Sequence, residues 1–151
     1  MAAYARQPVA RSAGGWTISG NDASLTVAIS FPAAGLLATP TVATFFGVGR
    51  DVSGAGELLF FGPIVPTIAI APGVTPKLDT GTKVSQAAAD GMADAAATDL
   101  LKLLFNNTDW ANLGDAVGVR GSTVAGSLYL SLHTATPTEA GNQSSNEVTY
   151  V

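Results

Sequence analysis

The most specific chemical motif in this 151-residue sequence is Asp-Thr-Gly at positions 79–81, within LDTGT. Aspartic proteases carry this tripeptide, and their paired aspartates share a proton and activate water. A single copy would serve in a homodimer, but Asp-Thr-Gly is also an ordinary turn sequence. Pro76 and Lys77, which precede it, are not the buried apolar strand that such an enzyme needs. We interpret Asp79 as a turn residue, and a homodimeric aspartic protease acting through Asp79 stays as a third hypothesis.

The one histidine, His133, ends an alternating segment, SLYLSLHT (127–134). Histidine can act as a general base, but the chain has no cysteine and no Gly-x-Ser-x-Gly nucleophile motif. The alternation predicts that the leucines face the core and that the intervening side chains point outward: Tyr129, Ser131 and His133. We therefore predict a structural role for His133.

The other acidic residues are scattered, without the pairing of a glycosidase or the ligand alternation of a calcium loop. The sequence thus predicts no catalytic residue, no cofactor and no metal site. Aromatic rings on a β module can instead stack on sugars. The candidates for such glycan contacts are Tyr4, Tyr129 and Tyr150.

The composition limits the classes of partner. Charged residues make up 12% of the chain and hydrophobic residues 47%, with a net charge of -4. Seven Lys plus Arg argue against a nucleic-acid binder. The stretches 23–49 and 58–76 carry no charge, but prolines interrupt both, so we predict strands and no membrane span. Because few charges are available to cover a small domain, we expect copies of the chain to bury apolar surface against each other.

Segments with strand character recur between glycine- and proline-rich turns. They predict one domain over residues 1–151, mainly β, with an antiparallel sandwich-like or jelly-roll-like arrangement. The segments are GGWTISG (14–20), SLTVAISF (24–31), TVATFFGVG (41–49), ELLFFGPIV (57–65), PTIAIAP (66–72), GTKVSQ (81–86) and SLYLSLHT (127–134).

One amphipathic helix is predicted at about 94–106, where apolar residues recur at helical spacing. Asp94 is the expected cap, and Asn106-Asn107 the expected end. The polar segment 134–146 predicts a long surface loop.

Two pairs of adjacent phenylalanines lie in the uncharged stretches. Neighbouring residues on a strand point to opposite faces, so one ring of each pair should fill the core and the other should contact a partner sheet or another subunit. The predicted oligomer-interface residues are Phe45, Phe46, Phe60 and Phe61.

A second methionine, Met92, lies in a segment of small residues, AAADGMADAAA (87–97). The segment EVTYV (147–151) has strand character and, read on into residues 2–20, continues one β-rich passage. We predict that two original termini are joined near 87–93 and that the present ends are neighbours. The chain would then be a circular permutant with its original start at Met92.

Read from Met92 in this rotated order, the chain resembles a family of small bacteriophage and prophage proteins described as tail-fibre-like or virion structural proteins. The resembling blocks are LLKLLFNNT (100–108), LGDAVG (113–118), AGSLYLSLHTATPTEAGNQSSNEVTY (125–150), YARQPVARSAGGWT (4–17), FFGVG (45–49) and SGAGELLFFG (53–62). The present order starts with the later half of the family pattern, which favours an engineered permutation and leaves a natural one open.

The resemblance implies a non-enzymatic component of a phage virion, made in the bacterial cytoplasm. It would be tail-fibre-like, capsid-decorating or shell-forming. Its partners would be further copies of itself in a symmetric homo-oligomer and other virion proteins. The alternative is a glycan-binding phage adhesin that contacts a host surface glycan.

Overall fold

The computed structural model describes residues 3–86, 92–111, 113–114 and 118–151. Within these ranges the chain forms nine strands and one helix, and the strand pairs with a defined register are antiparallel. This confirms the predicted mainly β, antiparallel fold with a single helix. The elements are β1 (Gln7–Ala10), β2 (Trp16–Ser19), β3 (Asp22–Leu25), β4 (Ile29–Ser30), β5 (Thr41–Gly49), β6 (Leu58–Ile70), β7 (Lys77–Leu78), β8 (Lys83–Ser85), α1 (Asp94–Asn106) and β9 (Ser127–His133).

The strands form three sheets. The largest has the order β1-β9-β5-β6, a second has the order β2-β3-β8, and β4 pairs with β7. Among the described strands, none of the sheets closes into a barrel.

The chain divides into two compact units, each assembled from segments that are distant in sequence. The first unit comprises Met1–Pro8, Ala28–Asp79 and Leu128–Val151, and the second comprises Val9–Val27 and Thr80–Ser127. The single domain stays a prediction. Of the predicted join at 87–93, residues 87–91 lie outside the described part of the chain.

In the first unit, β5 and β6 form an antiparallel hairpin around residues 50–57. The sequence predicts two strands over 57–72, whereas the structure has one 13-residue strand, β6. Its pairing with β5 is irregular at two places: Leu59 is an extra residue between the pairs of Leu58 and Phe60, and four residues, 64–67, face only Thr44. Because these interruptions do not end the strand, β6 continues as an irregular edge of the sheet.

In the second unit, α1 has the predicted bounds, and Ala97, Leu101 and Phe105 are buried. Phe105 packs edge-on against Trp16, with 4.6 Å between ring centroids. The helix ends at Asn107 as predicted, in a left-handed conformation with φ 53°.

The predicted cap of α1 is wrong. Ala93 occupies the cap position and makes no side-chain cap hydrogen bond, while Asp94 is the first helical residue. The Asp94 carboxylate instead accepts a hydrogen bond from Asn21 Nδ2 at 3.0 Å. A tertiary partner for this carboxylate replaces the local cap that the sequence suggested.

Two strand predictions also require correction. The segment 24–31 is not one strand, since β3 ends at Leu25 and β4 begins at Ile29. Val27, between them, is 55% exposed. Residues 147–151 form no strand, although the Tyr4 N–H donates to Tyr150 O at 3.0 Å. The first and last described segments are therefore neighbours, as predicted, and the permutation itself stays a prediction.

Candidate functional site

A group of polar side chains, buried except for the partly exposed Glu147, lies in the first unit and is here called the polar cluster: Arg6, Ser131, His133, Gln143 and Glu147. Ser131, His133 and Gln143 are fully buried. The outward orientation predicted for Ser131 and His133 is therefore wrong. Segment 134–147 packs over this face of the sheet, so both alternating faces of β9 are covered.

Two glycines of β5 make room for the polar cluster. A Cβ at Gly47 would lie 2.6 Å from both His133 Nε2 and Ser131 Oγ, and a Cβ at Gly49 would overlap the Gln143 side chain. Gln143 fills this space with its amide paired to the backbone of Asp51, accepting at 2.9 Å and donating at 3.1 Å. In the sequence these glycines look like ordinary strand residues, so the space that they leave was not predicted.

Ser131 and His133 form a pair with the geometry of a nucleophile and a base. His133 Nε2 lies 2.8 Å from Ser131 Oγ, and Nδ1 lies 2.8 Å from Ser145 O. A carbonyl only accepts, so Nδ1 carries the proton and Nε2 accepts from the serine hydroxyl. Burial lowers the pKa of His133 below its ordinary value of 6.5. Neither side chain has exposed surface, so a substrate cannot reach the pair in this structure.

Arg6 and Glu147 form the charged part of the polar cluster. Arg6 Nε and Nη2 donate to the two carboxylate oxygens of Glu147, each at 2.7 Å. The guanidinium also donates to Asp51 O at 3.0 Å and Gly54 O at 2.8 Å. A bidentate ion pair with further backbone acceptors is the arrangement in which a buried arginine is tolerated. The pair joins the N-terminal segment to the hairpin turn and to segment 134–147.

A cavity of about 190 Å³ adjoins this ion pair, and its lining includes Tyr4, Arg6, Val52 and Glu147. Tyr4 Oη accepts the Leu132 N–H at 2.9 Å. Burial raises the pKa of Tyr4 far above its ordinary value, and the charge of Glu147 raises it further. The phenol therefore stays protonated near neutral pH and is not a base.

The tyrosines predicted to contact glycans do not form an exposed platform. Tyr150 is 6% exposed, and its hydroxyl donates to Pro32 O, so a sugar cannot stack on its ring. Tyr4 stacks on Phe31 with 6.1 Å between centroids and meets Tyr150 edge-on at 5.5 Å. The prediction that Tyr150 contacts a glycan is wrong, because its ring belongs to the core. Tyr129 is half-buried on β9, and its glycan role stays a prediction.

The four phenylalanines predicted at an oligomer interface differ in burial. Phe46 is 3% exposed and belongs to the core of its own unit. The prediction that Phe46 lies at the interface is therefore wrong. Phe46 is instead the ring of the Phe45–Phe46 pair that fills the core. Phe45, Phe60 and Phe61 are half-buried and stay predictions.

Asp79 lies in the segment between β7 and β8, as the turn interpretation predicted, and it is exposed. An exposed aspartate lacks the enclosed setting in which two carboxylates share a proton. Among the described residues, no group of three or more His, Asp or Glu side chains could hold a metal ion. No helix in the described ranges is long and apolar enough to cross a membrane.

The first unit also carries an exposed apolar surface, here called the apolar end: Leu36, Leu37, Val74 and Val151. Their exposed fractions are 73%, 83%, 36% and 64%. Backbone hydrogen bonds hold their segments together, from Ala34 N to Val74 O at 2.8 Å and from Gly35 N to Val151 O at 2.7 Å. Leu36 and Leu37 were not predicted at an interface, because the prediction considered only strand residues and both leucines lie in the turn before β5. The absence of charge over 23–49 and 58–76 was the available signal.

Comparisons with protein-family models, with curated proteins and with solved structures give no match. The function is therefore inferred from the residues and geometry of this chain.

Proposed function

We propose that this protein is a non-enzymatic structural component of a phage virion and that it assembles with further copies of itself into a symmetric homo-oligomer. The observation that carries the proposal is the apolar end. Leu36 and Leu37 are 73% and 83% exposed on neighbouring positions of one turn. Exposed apolar residues grouped in this way are typical of protein–protein contact surfaces.

A second copy of the chain is the partner that fits this surface. The stretches 23–49 and 58–76, which contain Leu36, Leu37 and Val74, have no charged residue. A surface without charged residues cannot form ion pairs with nucleic acid or a charged peptide. It can pack against another surface that is also uncharged. The same patch on another copy meets this condition, and a two-fold axis would pair the two patches with themselves.

The polar cluster supports the non-enzymatic part of the proposal. Its hydrogen bonds are made within the chain, and Ser131 and His133 have no exposed surface. Such a cluster stabilises the fold and fixes segment 134–147. Placement in a virion rests on the phage-like sequence blocks, and production in the bacterial cytoplasm with other virion proteins as partners follows from that placement.

The self-association proposal is tested with Leu36→Lys and Leu37→Lys. Val52→Lys is the matched control, because Val52 is 60% exposed in the hairpin turn of the same unit. Light scattering after size exclusion should show an oligomer for the unmodified protein and the control, and a smaller species for the two variants, all with the same circular dichroism. An unmodified protein that is monomeric at micromolar concentration, or variants that elute with the control, would contradict the proposal.

The virion placement has a separate test. Particles purified from a bacterial strain whose prophage encodes this sequence, in the present order or in the rotated order from Met92, are analysed by mass spectrometry. Peptides of the chain should be present at a fixed ratio to the other particle proteins. Their absence from the particles would contradict the placement without affecting the result on self-association.

A further inference from the structure

The segment that packs over the polar cluster, residues 134–147, is here called the covering loop. Gln143 N donates to Gly56 O at 2.9 Å, and Thr134 N donates to Asn146 O at 2.9 Å. Near its end, Ser145 O accepts from His133 Nδ1 at 2.8 Å. The covering loop is therefore held over the sheet partly by the imidazole of the one histidine in the chain.

The contact with Ser145 is compatible with either protonation state of the imidazole, because Nδ1 donates in both. The contact with Ser131 requires the neutral ring. In the closed structure Nε2 accepts from Ser131 Oγ. A proton added to Nε2 would turn this acceptor into a donor, so the serine hydroxyl would have to rotate and lose its own acceptor. Both side chains have 0% exposed surface, so water does not solvate the new charge unless the loop moves away.

The groups around His133 act on the added proton in both directions. Burial opposes it most strongly, the Ser145 carbonyl and Glu147 at the end of the covering loop favour it, and Arg6 from the N-terminal segment opposes it. Glu147 is already paired through both oxygens with Arg6. Of the other neighbours, Tyr4 stays neutral, Gly47 of β5 has no side chain, and the Leu58 side chain of β6 is apolar.

We propose that the covering loop is an acid-released latch: in mildly acidic solution His133 takes up a proton, Nε2 can no longer accept from Ser131, and the loop opens so that water solvates the new charge and the polar cluster is exposed. The latch is independent of self-association. It gives the protein a response to acid that the static fold does not reveal.

The direction of the pH effect follows from proton binding. Burial holds the pKa of His133 in the closed state below the ordinary 6.5, so the closed state binds fewer protons than the open state. Closure is therefore fully favoured above pH 6.5, and the opening constant rises about tenfold for each pH unit below it until the closed-state pKa is reached. Carboxylates ordinarily titrate below pH 5, which leaves His133 as the main titrating side chain between pH 7 and pH 5.

The test is amide hydrogen exchange of the full chain at pH 7 and pH 5, corrected for the intrinsic pH dependence of exchange. The opening constant reported by the Gln143 and Val148 amides should increase up to about 25-fold. The β2 and β3 amides of the second unit are the internal control and should change little. Equal protection of the loop amides at both pH values would overturn the proposal.

His133→Asn separates the latch from a general effect of acid. The asparagine can keep a donor near Ser145 O and does not titrate, so its loop amides should exchange alike at pH 7 and pH 5. A variant that keeps the pH response would overturn the role of His133. Should the variant not fold, NMR titration of the imidazole in the unmodified protein decides. A midpoint below 6.5 that coincides with loop opening supports the latch, and an ordinary midpoint with an unchanged loop overturns it.

Discussion

Arg6 is almost fully buried, and its charge is balanced by one carboxylate at 2.7 Å. Removing that partner would leave a guanidinium in the interior without a counter-charge, which is far more costly than losing a surface ion pair. We therefore expect substitutions in the polar cluster to lower the stability unequally. The loss should be largest where the substitution leaves a buried charge without its partner.

Glu147→Ala tests this expectation. We expect the free energy of unfolding to fall by about 3–5 kcal/mol, measured by urea denaturation. The control is Glu57→Ala, because the Arg50–Glu57 pair is 64% and 58% exposed and such pairs contribute about 0–1 kcal/mol. Equal losses for the two variants would show that the buried pair has no special role.

At the scale of elements, the glycines of β5 allow neighbouring segments to pack closely against this strand. Its glycines leave space that the side chains of β9 and the covering loop occupy. A side chain at Gly47 would have to displace both members of the Ser131–His133 pair, neither of which has free space to move into.

Gly47→Ala is accordingly expected to lower the free energy of unfolding by about 1–3 kcal/mol, because overpacking strains the core. Gly14→Ala is the control, since a Cβ there would lie 3.6 Å from Ser12 Oγ, an ordinary contact. Thermal unfolding followed by circular dichroism measures both. A neutral Gly47→Ala would contradict the close packing at this position.

Asn107 ends α1 through both its backbone and its side chain. Its φ is 53°, and its amide group exchanges two 2.7 Å hydrogen bonds with the backbone of Ser122. Asn107→Ala loses the bonds and strains the left-handed conformation, so we expect a loss of about 1–2 kcal/mol. Asn107→Gly keeps the conformation and should lose less in the same thermal unfolding measurement. A glycine variant less stable than the alanine variant would contradict this.

The elements that follow from local patterns were predictable. β5 and α1 have the predicted bounds because dense apolar residues bordered by turn residues favour them wherever the rest of the chain lies. Contacts between distant segments were not predictable. His133 is buried because a polar loop packs on it, and Asp94 is not a cap because Asn21 takes its carboxylate. Likewise, only the packed sheet distinguishes Phe46 from Phe45.

At the scale of the whole molecule, the hydrogen bond from Tyr4 N to Tyr150 O bears on the permutation. Permutation is tolerated where ends lie close together at the surface. The 3.0 Å contact means that a few residues suffice to connect Val151 to Ala3.

A chain that runs from Met92 to Val151 and then from Met1 to Gly91 is therefore expected to fold. Its circular dichroism should match that of the present chain, and its melting temperature should differ by a few degrees. Met92 lies two residues before α1, so the new start leaves the helix intact. A rotated chain that stays unfolded would contradict the permutation.

The irregular pairing of β6 affects whether strands of other chains can add to this edge of the sheet. An edge strand with a regular backbone is a template on which further strands add without limit, but the extra residue Leu59, the unpaired run 64–67 and the prolines Pro63 and Pro66 interrupt that template. Endless sheet extension, as in an amyloid fibril, is thereby disfavoured. A chain this poor in charge is therefore expected to stay free of fibres even at high concentration.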